Sequence, residues 1–176
     1  MAGRKHTERA FEHLQRSIVV DEAYQKRWRC AFDDGETKCE RLGAVHLLLH
    51  GIWAFKAYSP GERTDLVAQE SHAITMTKER MDLVTRGPLS IDRRVESADA
   101  LVLTEWKVAK TRDEVAGKAA EGRKQAAIYS GSSLAACELA SVRYVVVVTA
   151  HREDMLPDVS EGPIVYRFIN LAVAPD

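Results

Sequence analysis

The chain has 176 residues, 45% of them hydrophobic and 29% charged, with a formal net charge of −1. That length supplies one domain with a substantial core and leaves little room for a second, and the composition is that of an ordinary folded protein, which excludes a disordered one. Near-neutral charge excludes wholesale attraction to nucleic acid, so any such binding would have to rest on a local basic surface.

Residues 1–70 read as helical. Ala10, Phe11, Leu14 and Ile18 recur at helical spacing. Asp21 is placed to cap a second helix carrying Tyr24, Trp28 and Phe32, which the Asp33-Asp34-Gly35 turn ends. Thr37 with Glu40 three residues later has the capping-box pattern, and Leu42, Val45, Leu49 and Trp53 continue an apolar stripe. Ser59-Pro60-Gly61 is a stop signal, after which 62–70 reads as one more short helix.

From His72 the texture is that of β-strands. Residues 73–77 alternate, 81–85 form a plausible second strand, and Gly87-Pro88 marks a turn before 89–96 extends a hairpin. The run 100–107, Ala-Leu-Val-Leu-Thr-Glu-Trp-Lys, is an apolar strand with a charged end. Thr111 with Glu114 repeats the capping-box pattern and opens a helix reaching about Tyr129, which Ser130-Gly131-Ser132 ends. A short helix at 134–139, a Val-rich buried strand at 143–150 and a last apolar strand at 164–173 complete the chain.

Cys30, Cys39 and Cys137 are odd in number and far apart, which argues against a disulfide framework and for a reducing compartment. The opening Met-Ala-Gly-Arg-Lys-His-Thr-Glu contains no apolar signal region, and no run of about 18 apolar residues occurs. The expectation is a cytoplasmic protein without a membrane span.

The chemistry gathers at the end of the 100–107 strand. Side chains two apart on a strand share a face, so Glu105 and Lys107 point into the same space. A carboxylate there can hold a hard divalent cation, and an ammonium can neutralise developing phosphate charge or help activate a water. Gln125 and Tyr129, four apart, share a face of the following helix. Lys110, Arg112, Lys118, Arg123 and Lys124 surround them and suit sequence-independent contacts to a phosphate backbone, although a solvated charged helix face accounts for them equally well. A plain alternative for Glu105 and Lys107 is an edge-strand salt bridge or a solvated strand end. His46 and His50, four apart with Cys30 and Cys39 upstream, lack the short Cys pair of a zinc knuckle, and His-Leu-Leu-Leu-His lacks the glutamate of a His-Glu-x-x-His protease.

An apolar strand ending in Glu-x-Lys, followed by a basic helix carrying Gln-x-x-x-Tyr, resembles the PD-(D/E)XK nuclease superfamily in its branch with a Gln-x-x-x-Tyr helix. The resemblance spans roughly residues 71–149. It implies an α/β fold: a restriction-endonuclease-like αβββαβ core with a mixed sheet over 62–176, with 1–61 as a helical region packed on it. It also implies metal-dependent hydrolysis of nucleic-acid phosphodiesters, of DNA before RNA, in settings such as restriction, repair or defence against mobile elements. Mg²⁺ or Mn²⁺ would be held by Asp82, Glu105 and the backbone carbonyl of Trp106. Lys107 would orient or deprotonate the attacking water and stabilise the transition state, with Gln125 and Tyr129 facing the same site. Asp82 lies within an apolar run 23 residues before Glu105 and is the best fit for the family's strand aspartate. Asp92, Asp99 and Asp65 remain alternatives, and Met81 stands where the family has proline. A non-catalytic nucleic-acid-binding or assembly protein on the same fold is the competing expectation, with the N-terminal helices available for a homodimer or another partner protein.

Overall fold

The computed structural model describes residues 2–55, 100–128 and 141–175. Among these, four helices and five strands follow one another as α1 (Ala2–Val20), α2 (Glu22–Asp34), α3 (Glu36–Leu49), β1 (Ile52–Phe55), β2 (Ala100–Val108), α4 (Glu114–Ile128), β3 (Val142–Thr149), β4 (Val159–Glu161) and β5 (Ile164–Ala172). The expected elements over 62–96 and 134–139, together with Asp65, Asp82, Asp92, Asp99, Tyr129 and Cys137, lie outside the described residues.

The strands form one mixed sheet in the order β1-β2-β3-β5-β4. The first four are mutually parallel, and β4 pairs antiparallel with β5. Parallel neighbours need a crossover, and α4 supplies the one between β2 and β3. The α/β class expected from the alternating helix and strand signals is therefore the class observed.

Strand alternation divides the core. Val102, Trp106 and Val108 of β2 join Tyr144, Val146 and Val148 of β3 on one face, packed against Phe11, Leu14, Ile18, Trp28 and Leu47 of α1, α2 and α3. Val145 and Val147 turn the other way, to meet Val115, Ala119 and Ala126 of α4 with Tyr166 and Phe168 of β5. Helices thus cover both faces, and every residue of β3 is buried, as a Val-rich parallel strand requires. Arg143, also buried, donates from Nη1 to the Ala126 carbonyl 3.0 Å away, fastening β3 to the last turns of α4.

Local signals held in most places. Asp21 caps α2 by accepting from the Tyr24 amide at 3.0 Å. Glu114 Oε2 reaches back to the Thr111 and Lys110 amides, which makes the glutamate half of the expected capping box. Two expectations need correction. The start of α3 does not use Thr37 and Glu40, because its N-cap is Gly35 at φ 112° with no side-chain cap bond.

The helix also ends sooner than the apolar stripe implies. Gly51 takes φ 70° and turns the chain, so Trp53 lies in strand β1 and not on a further turn of α3. Within α3 the buried face is Cys39, Gly43, His46 and Leu47, whereas Leu49 is exposed. Gly43 sets this rotation: only a residue without a side chain lets the helix backbone meet the Trp106 ring. Among the described residues, no helix is long and apolar enough to cross a membrane.

Candidate active site

Parallel β-sheets offer their carboxyl ends to ligands, because that is where successive crossovers diverge. The charged end of β2 occupies such a place. Its pairing with β1 stops at Phe55 and Leu103, and beyond that point β2 pairs, among the described residues, with β3 alone.

Glu105 and Lys107 share the face turned toward α4, as their spacing requires, and they are 1% and 3% exposed. Lys107 Nζ lies 3.4 Å from Glu105 Oε1. Two further carboxylates reach the same ammonium, Glu36 Oε2 from the first turn of α3 at 3.2 Å and Glu121 Oε1 from α4 at 3.2 Å. Lys118 bonds the outer side of the group, 3.1 Å from Glu121 and 3.9 Å from Glu36. The arrangement is not a solvated strand end, and it is more than a two-residue salt bridge. It is a cage with a buried centre, Lys107 and Glu105, and a water-accessible rim, Glu36 and Glu121, that ties α3, β2 and α4 together around one cation.

The electrostatics follow from the burial. Desolvation pulls the Lys107 ammonium toward losing its proton, but Glu36, Glu105 and Glu121 outweigh it and hold the pKa above the ordinary lysine value. Lys107 is therefore charged at neutral pH and acts as an electrostatic partner, not as a ready base. For Glu121, desolvation favours the neutral acid, yet hydrogen bonds from Lys118 and Lys107 win and keep the carboxyl below its usual range. Counted formally among the described residues, three carboxylates face two ammonium groups.

Gly122 allows this convergence. A Cβ built there would stand 2.6 Å from Val145 Cγ1, 3.4 Å from Lys107 Cγ and 3.6 Å from Glu105 Cγ. Val145 is fixed in the core, so Gly122→Ala must push α4 outward. We expect a stability loss of about 1–3 kcal/mol and, for any reaction run at the cage, a rate loss of roughly tenfold or more, since sub-ångström misplacement is costly there. Thermal melting and a rate measurement on the same variant check this; an unaltered rate would show that the close approach of α4 does not set the geometry.

The other predicted residues are distributed unevenly. Gln125 lies one turn after Glu121 on α4, and its Oε1 is buried with no hydrogen-bond partner among the described residues. Trp106 points its side chain to the opposite face, where the indole donates to Thr104 Oγ1 at 3.2 Å. Lys110 does not stand at a basic mouth: it bonds the Phe32 carbonyl at the end of α2 and lies over the Phe32 ring. Arg112 pairs with Glu153 at 3.3 Å and Arg123 with Glu161 at 3.6 Å, while Lys124 is exposed. Of the five basic residues, only Lys118 joins the cage.

Glu36 and Glu121 are the participants that sequence reasoning missed. Glu121 carried a weak signal, since it is one helical turn before Gln125 on a helix already singled out. Glu36 carried none, because its meeting with Lys107 is made across 71 positions by the fold.

Among the described residues, no group of three or more His, Cys, Asp or Glu side chains is arranged as a metal site. The carboxylates at the cage are nonetheless hard oxygen donors of the kind that Mg²⁺ and Mn²⁺ take. The chain matches no protein-family model, no curated protein and no solved structure.

Proposed function

We propose that this chain is a divalent-cation-dependent hydrolase of nucleic-acid phosphodiester bonds, acting on DNA before RNA, on a restriction-endonuclease-like core. The observation that carries the reading is the convergence of Glu105 and Lys107 at the carboxyl end of a buried parallel strand, with Glu36 and Glu121 on the same ammonium. Glu105 would hold the cation together with Asp82 and the Trp106 carbonyl, and Glu36 and Glu121, which share Lys107 with Glu105, would be candidates for further oxygen donors. The cation would supply Lewis-acid polarisation of the phosphate.

The protein's own groups then have defined parts. Lys107 enters charged and stabilises the extra negative charge on the phosphorus oxygens as the transition state forms. Because Glu36, Glu105 and Glu121 keep Lys107 protonated, it would orient the attacking water as a charged hydrogen-bond donor and not by taking its proton. Gln125 offers a buried amide to a phosphate oxygen or to that water, and Tyr129 would follow it one turn later. Lys118 and Lys124 suit contact with the phosphate backbone.

Incubation of supercoiled plasmid and of single-stranded oligonucleotides with the purified chain tests the reading. Cleavage is expected with Mg²⁺ or Mn²⁺ and not with a chelator, and it should fall by about a hundredfold or more in Glu105→Ala. A second reading has its own observation in its favour: three ion pairs joining three elements through Lys107 also make a structural bolt, as a non-catalytic binding or assembly protein would retain. That reading gains if no cation supports cleavage while a gel shift on DNA is unchanged by Glu105→Ala.

A further inference from the structure

Four of the chain's six histidines meet at one helix interface. His6 and His13 are two turns apart on α1, and His46 and His50 are one turn apart at the end of α3. The His13 and His50 ring centroids are 5.3 Å apart, and those of His46 and His50 are 4.9 Å apart. His6 Nε2 donates to the His50 carbonyl at 2.7 Å. His46 is buried, donates from Nε2 to the Ala10 carbonyl of α1 at 3.1 Å, and faces the Tyr24 hydroxyl of α2 across Nδ1 at 3.5 Å. Those bonds select the neutral tautomer carrying its proton on Nε2.

We propose that the α1–α3 interface is an acid-released latch, closed while its histidines are neutral and loosened when imidazolium charges accumulate between the two helices. The groups that face His46 are His50 on its own helix, His13 from α1 and the Tyr24 phenol from α2; those that face His50 are His13 and His6 from α1. Among the described residues no carboxylate acts on either ring, and the Ala10 carbonyl, which favours a protonated His46, is outweighed by burial and the neighbouring imidazoles. Burial first, and the neighbouring imidazoles second, hold both His46 and His50 below the ordinary value of 6.5. The sign is then fixed: the unfolded chain takes up protons more readily than the folded one, so stability is full above about pH 6.5 and is lost as pH falls through it.

The latch lies behind the candidate site. Its α1 strut also carries Phe11, whose ring is 6.3 Å from Trp106, the residue between Glu105 and Lys107. The clamp at the far half of α1 has no histidine: Gln15 exchanges two hydrogen bonds with Ala172, at 2.8 and 3.0 Å. Acid should therefore free the first half of α1 before the second.

Hydrogen exchange on the full chain at pH 7.5 and 5.0, corrected for intrinsic rates, tests this. Protection at residues 5–13 is expected to fall about tenfold or more on acidification, with α4 little changed. The variants His13→Gln and His50→Gln, at positions that are not fully buried, should flatten that dependence while folding normally at pH 7.5. Equal protection of residues 5–13 at the two pH values would overturn the proposal, as would an acid response that both variants retain in full or one that loosens α4 as much as α1.

Discussion

Lys107→Met is expected to remove the proposed cleavage activity, by about a hundredfold or more, and to destabilise the fold by about 3 kcal/mol. The two losses have different origins. Activity goes because the ammonium is the cationic side chain at the centre of the carboxylate cage, 3.2 to 3.4 Å from all three. Stability goes because Glu105, 1% exposed, keeps its burial while losing that neighbour. The cost stays at the low end for a broken buried pair, since Glu36 and Glu121 retain access to water.

The origins can be separated by adding Glu105→Gln. The neutral amide removes the buried negative charge, so the double variant should recover much of the lost stability while still lacking the proposed activity. Denaturant unfolding beside the plasmid assay gives both quantities. A Lys107→Met protein that cuts at the normal rate would remove the chemical role assigned to this lysine. A double variant as unstable as the single one would instead show that the ion pairs are not what holds α3, β2 and α4 together.

Gly43→Ala should be among the most damaging small substitutions in the chain. The added Cβ would stand 2.1 Å from Trp106 Cη2 and 2.2 Å from Cζ2. The indole cannot yield easily: it is fully buried, stacked 6.3 Å from Trp28 at 29°, and tethered to Thr104. Overpacking of this severity costs about 3 kcal/mol, which for a chain of this size lowers Tm by roughly 6–12 °C. Trp106→Phe on the Gly43→Ala background shortens the ring where the clash falls and should restore part of the loss. A melting temperature within about 1 °C of the parent would contradict the close helix–strand contact from which the prediction derives.

The parts of the fold legible from sequence were those governed by local rules. The α1 stripe, the Asp21 cap, the Gly35 break and the three long strands depend on spacing and turn chemistry within a few residues, and each lies where those rules place it. The stripe through Leu42, Val45 and Leu49 was right at Leu42, which packs on the core, and misled at Leu49, which is exposed, because hydrophobicity was used to choose the buried face of α3. That face was chosen instead by the one residue small enough to admit an indole from β2. Strand β4 escaped notice because three residues, two of them exposed, carry no periodic signal.

The candidate site divides along the same line. Glu105 and Lys107 follow from the two-residue period of a strand. Glu36 and Glu121 depend on where two helices land, and Lys110 was misread because its partner, the carbonyl end of α2, is a tertiary neighbour 78 positions away. Asp82, Asp92 and Tyr129 lie outside the described residues, and their parts remain proposals.

The run Val-Arg-Tyr-Val-Val-Val-Val-Thr of β3 would be a hazard if its backbone were offered to other molecules, being β-branched, nearly uncharged and free of proline. Its place in the strand order averts this: β2 and β5 occupy its two flanks, and the border beyond β5 is the three-residue β4, with Ser160 and Glu161 exposed. With both its flanks taken, this adhesive segment offers no free backbone edge to an incoming chain.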